Sequence, residues 1–340
     1  MASAGLNTMR RLDRWTVATV LAVLAVLITA SRPSATTLAF YAPWDPQSVI
    51  SMQGHAGQID ILAPAWISVT GPDDNIQQSD DLAARTTLSA LHRSPTLLPV
   101  LQNARDGVWH GADAAALLAH PARRKALLDR LERDIAVSGG SGLIFDLEDL
   151  PTRAQPGYLS LLAEARARFA PRHWRVGVSV PANDSDWDLA AYGQAADLIV
   201  LMAYDEHWPT GAPGPIASPA WFAAAVKQAS DQIPVSKLAV GLASYGYDWP
   251  AGGVARPLSV IEAKALAARV RATPTRSAPG AEPHFSYTAR GVRHQVWFVD
   301  AQASHAQADL AQSLGVSTLA LWRLGSEDPD LWRWFGGSGR

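Results

Sequence analysis

Eight short apolar runs, separated by stretches of helical spacing, constrain this chain more than any other feature. The runs are Leu38 to Ala42, Ile59 to Ala63, Leu97 to Leu101, Gly142 to Leu147, Arg175 to Val180, Leu198 to Met202, Leu238 to Leu242 and Thr318 to Trp322. Between them lie segments such as YLSLLAEARARFA, PAWFAAAVKQASDQI and AQADLAQSLG, with apolar residues at helical spacing. Strands that read as nearly continuous hydrophobic runs are covered on both faces, which favours a parallel sheet wrapped by helices. Eight such units predict an α/β fold, a (β/α)8 TIM barrel, which typically takes about 250 residues. The 340 residues, 48% of them hydrophobic, supply a core for one large domain.

Two regions fall outside the repeat. Roughly 75 residues separate Leu242 from Thr318, and they hold a helix-like stretch, SVIEAKALAARVR, and two strand-like stretches around a Gly-containing turn, HFSYTARGVRHQVWFVD. A small α+β insertion between strands seven and eight, over about residues 250–300, is expected. Residues 1–35 place Arg10, Arg11 and Arg14 before an uncharged run from Trp15 to Ala30. That pattern is an export signal, and the body from 36 to 336 is expected to be extracytoplasmic, periplasmic or secreted. The run has 16 residues where a membrane span needs about 20, and no small-x-small cleavage site follows; a cleaved signal peptide and a single N-terminal membrane anchor both stay open. Residues 337–340 form a short tail.

A formal net charge of −2 gives no basic field, so a nucleic-acid partner is not expected. The absence of cysteine excludes disulfides, thiolate catalysis and cysteine-ligated zinc. No cluster has metal-ligand spacing, and neither a metal nor a cofactor is expected.

The fourth run carries the chemistry. GGSGLIFDLEDL ends in three carboxylates within four positions. Alternation in a strand puts Gly142, Ile144, Asp146 and Glu148 on one face and Leu143, Phe145 and Leu147 on the other. With the leucines under the outer helices, both acids enter the barrel mouth at its carboxyl end, where barrel enzymes keep their active sites. Mutual repulsion and desolvation then raise one pKa and yield a general acid beside an ionised partner. The bland alternative is a solvated strand end or an acid pair bound to arginine.

SGLIFDLE resembles the DGxDxDxE signature of glycoside hydrolase family 18, the chitinase and endo-N-acetylglucosaminidase family, with Asp146 at its last aspartate and Glu148 at its acid. The family's first and middle aspartates fall on Ser141 and Ile144. LMAYDEHW is similar to the MxYD motif of the sixth strand, with Met202, Tyr204 and Asp205; VGLASYGYDW, with Tyr245, resembles the seventh-strand segment; FYAPWD, with Tyr41 and Trp44, fits the first strand; and LALWRLGSED supplies Trp322. Phrases such as YDEHWPTGAPGPIASPAWF look closest to spore-type peptidoglycan N-acetylglucosaminidases and to domains attached to polysaccharide deacetylase and glycosyltransferase modules.

The resemblance implies hydrolysis of an N-acetylglucosamine-containing polysaccharide, with Glu148, Asp146 and Tyr204 catalytic. Asp205, Met202, Trp322, Tyr41, Trp44, Trp208 and Tyr245 would contact substrate. It also implies deacetylase or glycosyltransferase partners. Trp249 is a further cleft candidate, whereas Trp66, Trp174, Trp297 and Trp332 read as packing. Ile144 cannot relay charge behind Asp146 as an aspartate would. A noncatalytic glycan-binding or polysaccharide-export accessory domain is the rival, and chitin, peptidoglycan and a deacetylated exopolysaccharide all remain candidate polymers.

Overall fold

The computed structural model describes residues 35–79, 81–91 and 94–336. The export signal and the tail lie outside the described residues, apart from Ala35. Eight parallel strands form the centre: β1 (Thr36–Tyr41), β2 (Ile61–Pro64), β3 (Val100–Gln102), β4 (Gly142–Asp146), β5 (Arg175–Pro181), β6 (Leu198–Met202), β7 (Leu238–Ala243) and β8 (Thr318–Trp322). Each coincides with one of the eight apolar runs. The ladder runs from β3 through β4 to β8, and β8 pairs in turn with β1, and β1 with β2.

Closure depends on a broken third strand. Thr96–Leu97 pairs with β2, and Val100–Gln102 pairs with β4. Across the break, the Leu98 N–H donates to the Leu62 carbonyl at 2.9 Å and the Ile144 N–H donates to the Pro99 carbonyl at 2.9 Å. Pro99 has no N–H to give, so the ladder is interrupted there, and beyond it Val100–Gln102 also pairs in parallel with Ile67–Thr70, the stretch that follows β2.

Alternation along the strands divides the core in two. Leu38, Phe40, Ile61, Val100, Ile144 and Val200 fill the barrel interior. Ala39, Leu62, Leu101, Leu143, Phe145 and Leu201 join the layer beneath the helices. Leu143, Phe145 and Leu147 therefore face outward and Ile144 inward, as the pattern requires. Ile144 is fully buried. Its neighbour on β5 is Gly177, where an added Cβ would stand 2.9 Å from the Ile144 side chain. The isoleucine thus occupies room that a glycine leaves.

The insertion is a four-stranded antiparallel sheet in the order Arg256–Ser259, Tyr245–Pro250, Val292–Phe298, His284–Ala289. It starts directly after β7, with only Ser244 between, earlier than the 250 expected from sequence. The helix Val260–Val270 begins with a capping box between Ser259 and Glu262 and buries Val260, Ala263 and Leu266 against Phe285, Val296 and Phe298. The expected hairpin turn falls at Arg290 and Gly291, both with positive φ. Glu282 fastens the insertion to the loop after β6: its carboxylate accepts the Ile216 N–H at 2.7 Å and the Ala217 N–H at 2.6 Å. Burial pushes the Glu282 carboxyl up from its ordinary 4.5 to about 7, against the pull of those two donors.

Two measurements test these packing statements. Ile144→Val should cost about 1 kcal/mol, whereas Ile144→Asp, an unpaired buried carboxyl, should cost several times more; thermal unfolding with equal losses would contradict the buried position. Glu282 binds its proton more tightly folded than unfolded. Its contribution to stability is full below pH 4.5 and is lost as pH rises through about 7. The wild type should therefore lose more stability between pH 5 and pH 8 than Glu282→Gln does, read as the difference between the two pH profiles.

Candidate active site

The carboxyl end of the barrel holds a cavity of about 380 Å³ lined by Asp146, Glu148, Met202, Tyr204, Asp205 and Trp322. Phe40, Trp109, Ser179, Pro181, Ala182 and Trp221 complete its wall. Asp146, the last residue of β4, is buried between neighbours on the adjacent strands. Gln102 on β3 donates to its Oδ2 at 3.1 Å, and the Ser179 hydroxyl on β5 bonds it from the other side. Burial raises the Asp146 pKa, and the two hydrogen bonds oppose the rise.

Glu148 stands two residues beyond the strand, where no ladder fixes the backbone. Asn103 does so instead. Its Oδ1 accepts the Glu148 N–H at 2.9 Å and its Nδ2 donates to the Glu148 carbonyl at 2.8 Å. Asn103 is fully buried, so both bonds are shielded from water. Among the described residues, no side chain hydrogen-bonds the Glu148 carboxylate itself. Burial first, and then the negative charges of Asp146, Asp205 and Asp149, hold its pKa well above the usual carboxylate range. No arginine neutralises either acid among the described residues, which removes the bland alternative of an ion-paired strand end.

Tyr204 and Asp205 follow β6. Gly241 on β7 makes room for Tyr204, because a Cβ there would lie 2.9 Å from the Tyr204 ring. Burial, and next the charge of Asp146, keeps the Tyr204 phenol well above its ordinary pKa, so it remains a proton donor. Asp205 has φ of 61°, a left-handed conformation that is uncommon outside glycine, although asparagine and aspartate adopt it more readily than most residues. Its Oδ1 accepts Tyr245 at 2.6 Å and Tyr247 at 3.1 Å, two tyrosines on one face of the insertion's first strand. Tyr204, Tyr245, Tyr247 and Trp249 continue as an edge-to-face series with centroids 5.3–6.2 Å apart.

Six residues expected from sequence thus meet in one cavity: Asp146, Glu148, Met202, Tyr204, Asp205 and Trp322. The others stand elsewhere. Tyr41 faces outward on β1, where its hydroxyl donates to Asp81 Oδ2 at 2.5 Å; its neighbour Phe40 points inward and meets Trp322 edge to face at 5.3 Å. Trp44 lines an adjoining groove of about 590 Å³, which shares Trp109 and Trp322 with the cavity. Tyr245 borders a third hollow, also against Trp322, and touches the cavity residues Asp205, through its hydroxyl, and Tyr204, through its ring. Trp208 is 52% exposed and lines none of the three. Trp249 is buried packing, and Trp66, expected as packing, is buried but forms part of the groove wall.

The sequence reading missed Gln102, Asn103, Ser179, Trp109 and Trp221. Alternation could have found two of them. Gln102 continues the inward series Leu98, Val100, and Ser179 follows inward Gly177. Among the described residues no group of histidine, aspartate and glutamate side chains is arranged to hold a metal ion.

The profile of the Glycosyl hydrolases family 18 matches residues 109–328, which include every cavity residue named above except Phe40. The chain belongs to this family. It is similar to the cortical fragment-lytic enzyme of Bacillus subtilis (strain 168), with 27% identity over 255 residues, 71% of this chain and 59% of that protein. The corresponding Bacillus anthracis protein is 24% identical over 283 residues, and the chain spans 66% of its length. Among solved family 18 folds, a chitinase from Chromobacterium violaceum superposes with a TM-score of 0.81 at 26% identity, over 90% of this chain and 100% of that one. The Bacillus cereus spore cortex-lytic enzyme shares the fold, with a TM-score of 0.78 at 21% identity, over 90% of this chain and 74% of that one.

The Asn103 clamp gives a direct prediction for this family 18 site. Asn103→Ala leaves the buried Glu148 N–H and carbonyl without partners and should lower unfolding stability by about 2–6 kcal/mol, at about 1–3 kcal/mol for each of the two unsatisfied groups. Chemical denaturation with an unchanged midpoint would show that the clamp carries no load.

Proposed function

We propose that this chain is a retaining glycosidase that cleaves β-linked N-acetylglucosamine-containing polysaccharide with the help of the substrate's own acetamido group. The observation that carries the reading is the division of labour among three carboxyls in one cavity. Asp146 is engaged by Gln102 and Ser179, and Asp205 by Tyr245 and Tyr247, while the Glu148 carboxyl is free of protein partners and biased toward its protonated form. One free acid suits general-acid catalysis. A conventional retaining glycosidase would need a second carboxyl free to act as nucleophile.

In the proposed reaction Glu148 gives its proton to the leaving glycosidic oxygen as the bond to the anomeric carbon breaks. The carbonyl oxygen of the 2-acetamido group bonds that carbon and forms an oxazolinium ion. Asp146 accepts the acetamido N–H and steadies the positive charge, and Tyr204 donates to the carbonyl oxygen. Trp322 offers an apolar face beneath the sugar. Water then attacks the anomeric carbon, its proton passes to the Glu148 carboxylate, and the ring of the intermediate opens with configuration retained. Asp205, its Oδ1 held by Tyr245 and Tyr247, lines the same cavity as Glu148, Asp146 and Tyr204.

Chitin-like polymers, peptidoglycan and exopolysaccharide all supply the required acetamido sugar, and the names of the relatives, a cortical fragment-lytic enzyme and a chitinase, support a polymeric substrate. Arg10, Arg11 and Arg14 ahead of the uncharged run support an extracytoplasmic site of action, with deacetylase or glycosyltransferase modules as prospective partners.

Glu148→Gln should lower turnover of N-acetylglucosamine oligomers by about 10²-fold to 10⁴-fold while oligomer binding persists. An oligomer with a free amine at the 2-position of the attacked sugar should bind without being cut, and a thiazoline mimic of the oxazolinium should inhibit. Equal cleavage of sugars with and without the acetamido group would end the substrate-assisted reading. Binding without any cleavage by the wild type would leave the glycan-binding alternative.

A further inference from the structure

Among the described residues that line the groove beside the cavity, Arg105 is the one cation, and no carboxylate among the described residues pairs with it. Arg105 lies on a two-residue hairpin after β3, in which Ala104–Arg105 pairs with Val108–Trp109. Asp106 and Gly107 close the turn, with φ of 51° and 76°. The hairpin is fixed to the barrel. The Ser68 hydroxyl donates to the Ala104 carbonyl, and the His110 N–H donates to the Asn103 carbonyl at 2.9 Å.

The guanidinium is held in place as well, because its Nη2 donates to the hydroxyl of buried Thr70. Beyond that bond it is unmatched. Its Nε is buried and has no hydrogen-bond partner, and no carboxylate among the described residues forms an ion pair with it. The neighbouring Asp106 sits exposed at the tip of the turn. Apart from Asp106 and Arg105, the described residues of the groove wall are neutral, with amide, hydroxyl and aromatic side chains such as Gln77, Ser79, Trp44 and Trp66. The three acids of the cavity next door are occupied with other partners or free for the reaction.

We propose that this groove binds a glycan residue bearing a carboxylate, with Arg105 as its counter-ion, so that the polymer cleaved is anionic. The inference rests on the glycosidase reading above and narrows its substrate. A neutral polymer would leave the guanidinium uncompensated when the groove is filled and dried. A polymer with free amines would meet it with like charge. A carboxylate matches a guanidinium in planar geometry and charge, and such charge-assisted bonds are among the strongest available to a sugar. Because Trp109 and Trp322 border both spaces, the carboxylated residue lies beside the sugar being attacked. Two sources present this chemistry: a lactyl ether on an N-acetylated amino sugar, as in muramic acid, and the C6 carboxylate of a uronic acid.

The test compares kcat/KM of the full chain on alternating N-acetylglucosamine–N-acetylmuramic acid oligomers with free lactyl carboxylates, on the same oligomers as methyl esters, and on oligomers with uronic acid in the alternate position. The free acid should be cleaved about tenfold better than its ester, the scale of one charge-assisted hydrogen bond, and the advantage should shrink in high salt. Arg105→Gln should erase the preference and Arg105→Lys should keep part of it. A uronic acid oligomer that matches the lactyl one would make the recognition general to carboxylates, and one that fails would assign it to the lactyl group. Equal cleavage of acid and ester, or a preference that survives Arg105→Gln, overturns the inference.

The acid-against-ester comparison uses only wild-type protein, so poor folding of a variant does not affect it. If no oligomer is cleaved, the glycosidase reading falls. Calorimetric binding of the same acid and ester pair to the wild type then decides the groove separately, with equal affinity counting against it.

Discussion

Alternation of side chains around a closed ring of strands is the constraint on which the rest of this molecule depends. In a closed barrel every strand has one face toward the axis and one toward the helices, and no edge where the pattern can slip. That is why a five-residue strand can bury Leu143 and Phe145 outward, Ile144 inward and Asp146 at the mouth. A shift of one residue would send the carboxylate into the apolar layer under the helices. The broken third strand serves the same end, since it carries Gln102 to Asp146 and Asn103 to Glu148 from the adjacent position.

Electrostatics in the cavity follow from which carboxyls find donors. Three acids share a partly desolvated space with no cation among the described residues lining it, and each has a raised pKa, with burial the largest cause in every case. The protein relieves two of them with neutral hydrogen bonds and leaves the third. A cation would have relieved all three more strongly, but it would also have held Glu148 ionised and removed its proton. Neutral donors separate the roles without abolishing the acid.

Much of the site was legible because it sits on strands or next to their ends, where a short pattern fixes direction. Asp146 and Glu148 followed from parity, and Tyr204, Asp205 and Trp322 from motifs at strand ends. Tyr41 shows the limit of parity. In LAFYA both alternating sets are apolar, so hydrophobicity alone cannot say which faces the axis, and the structure turns Phe40 inward. Trp109 and Trp221 were invisible for a different reason. One lies on a hairpin and the other at the start of a helix, and neither position has a periodic neighbour that announces a cavity. The insertion began early because Tyr245, Tyr247 and Trp249 form a strand that continues the apolar run of β7 with almost no break.

The insertion is joined to the barrel in a way that bears on how such proteins can be rebuilt. Its first strand supplies both hydroxyls that hold Asp205, and its Glu282 grips the backbone at Ile216 and Ala217, on the same loop as Tyr204. The segment is continuous in sequence and looks detachable, with a sheet and a small core of its own. Yet excising it to make a minimal barrel would unfasten the loop after β6 at two points and free the aspartate's strained backbone to relax. In recombination or grafting, the unit that must travel intact is therefore the insertion together with β6 and its loop, a block that crosses the apparent boundary between module and scaffold.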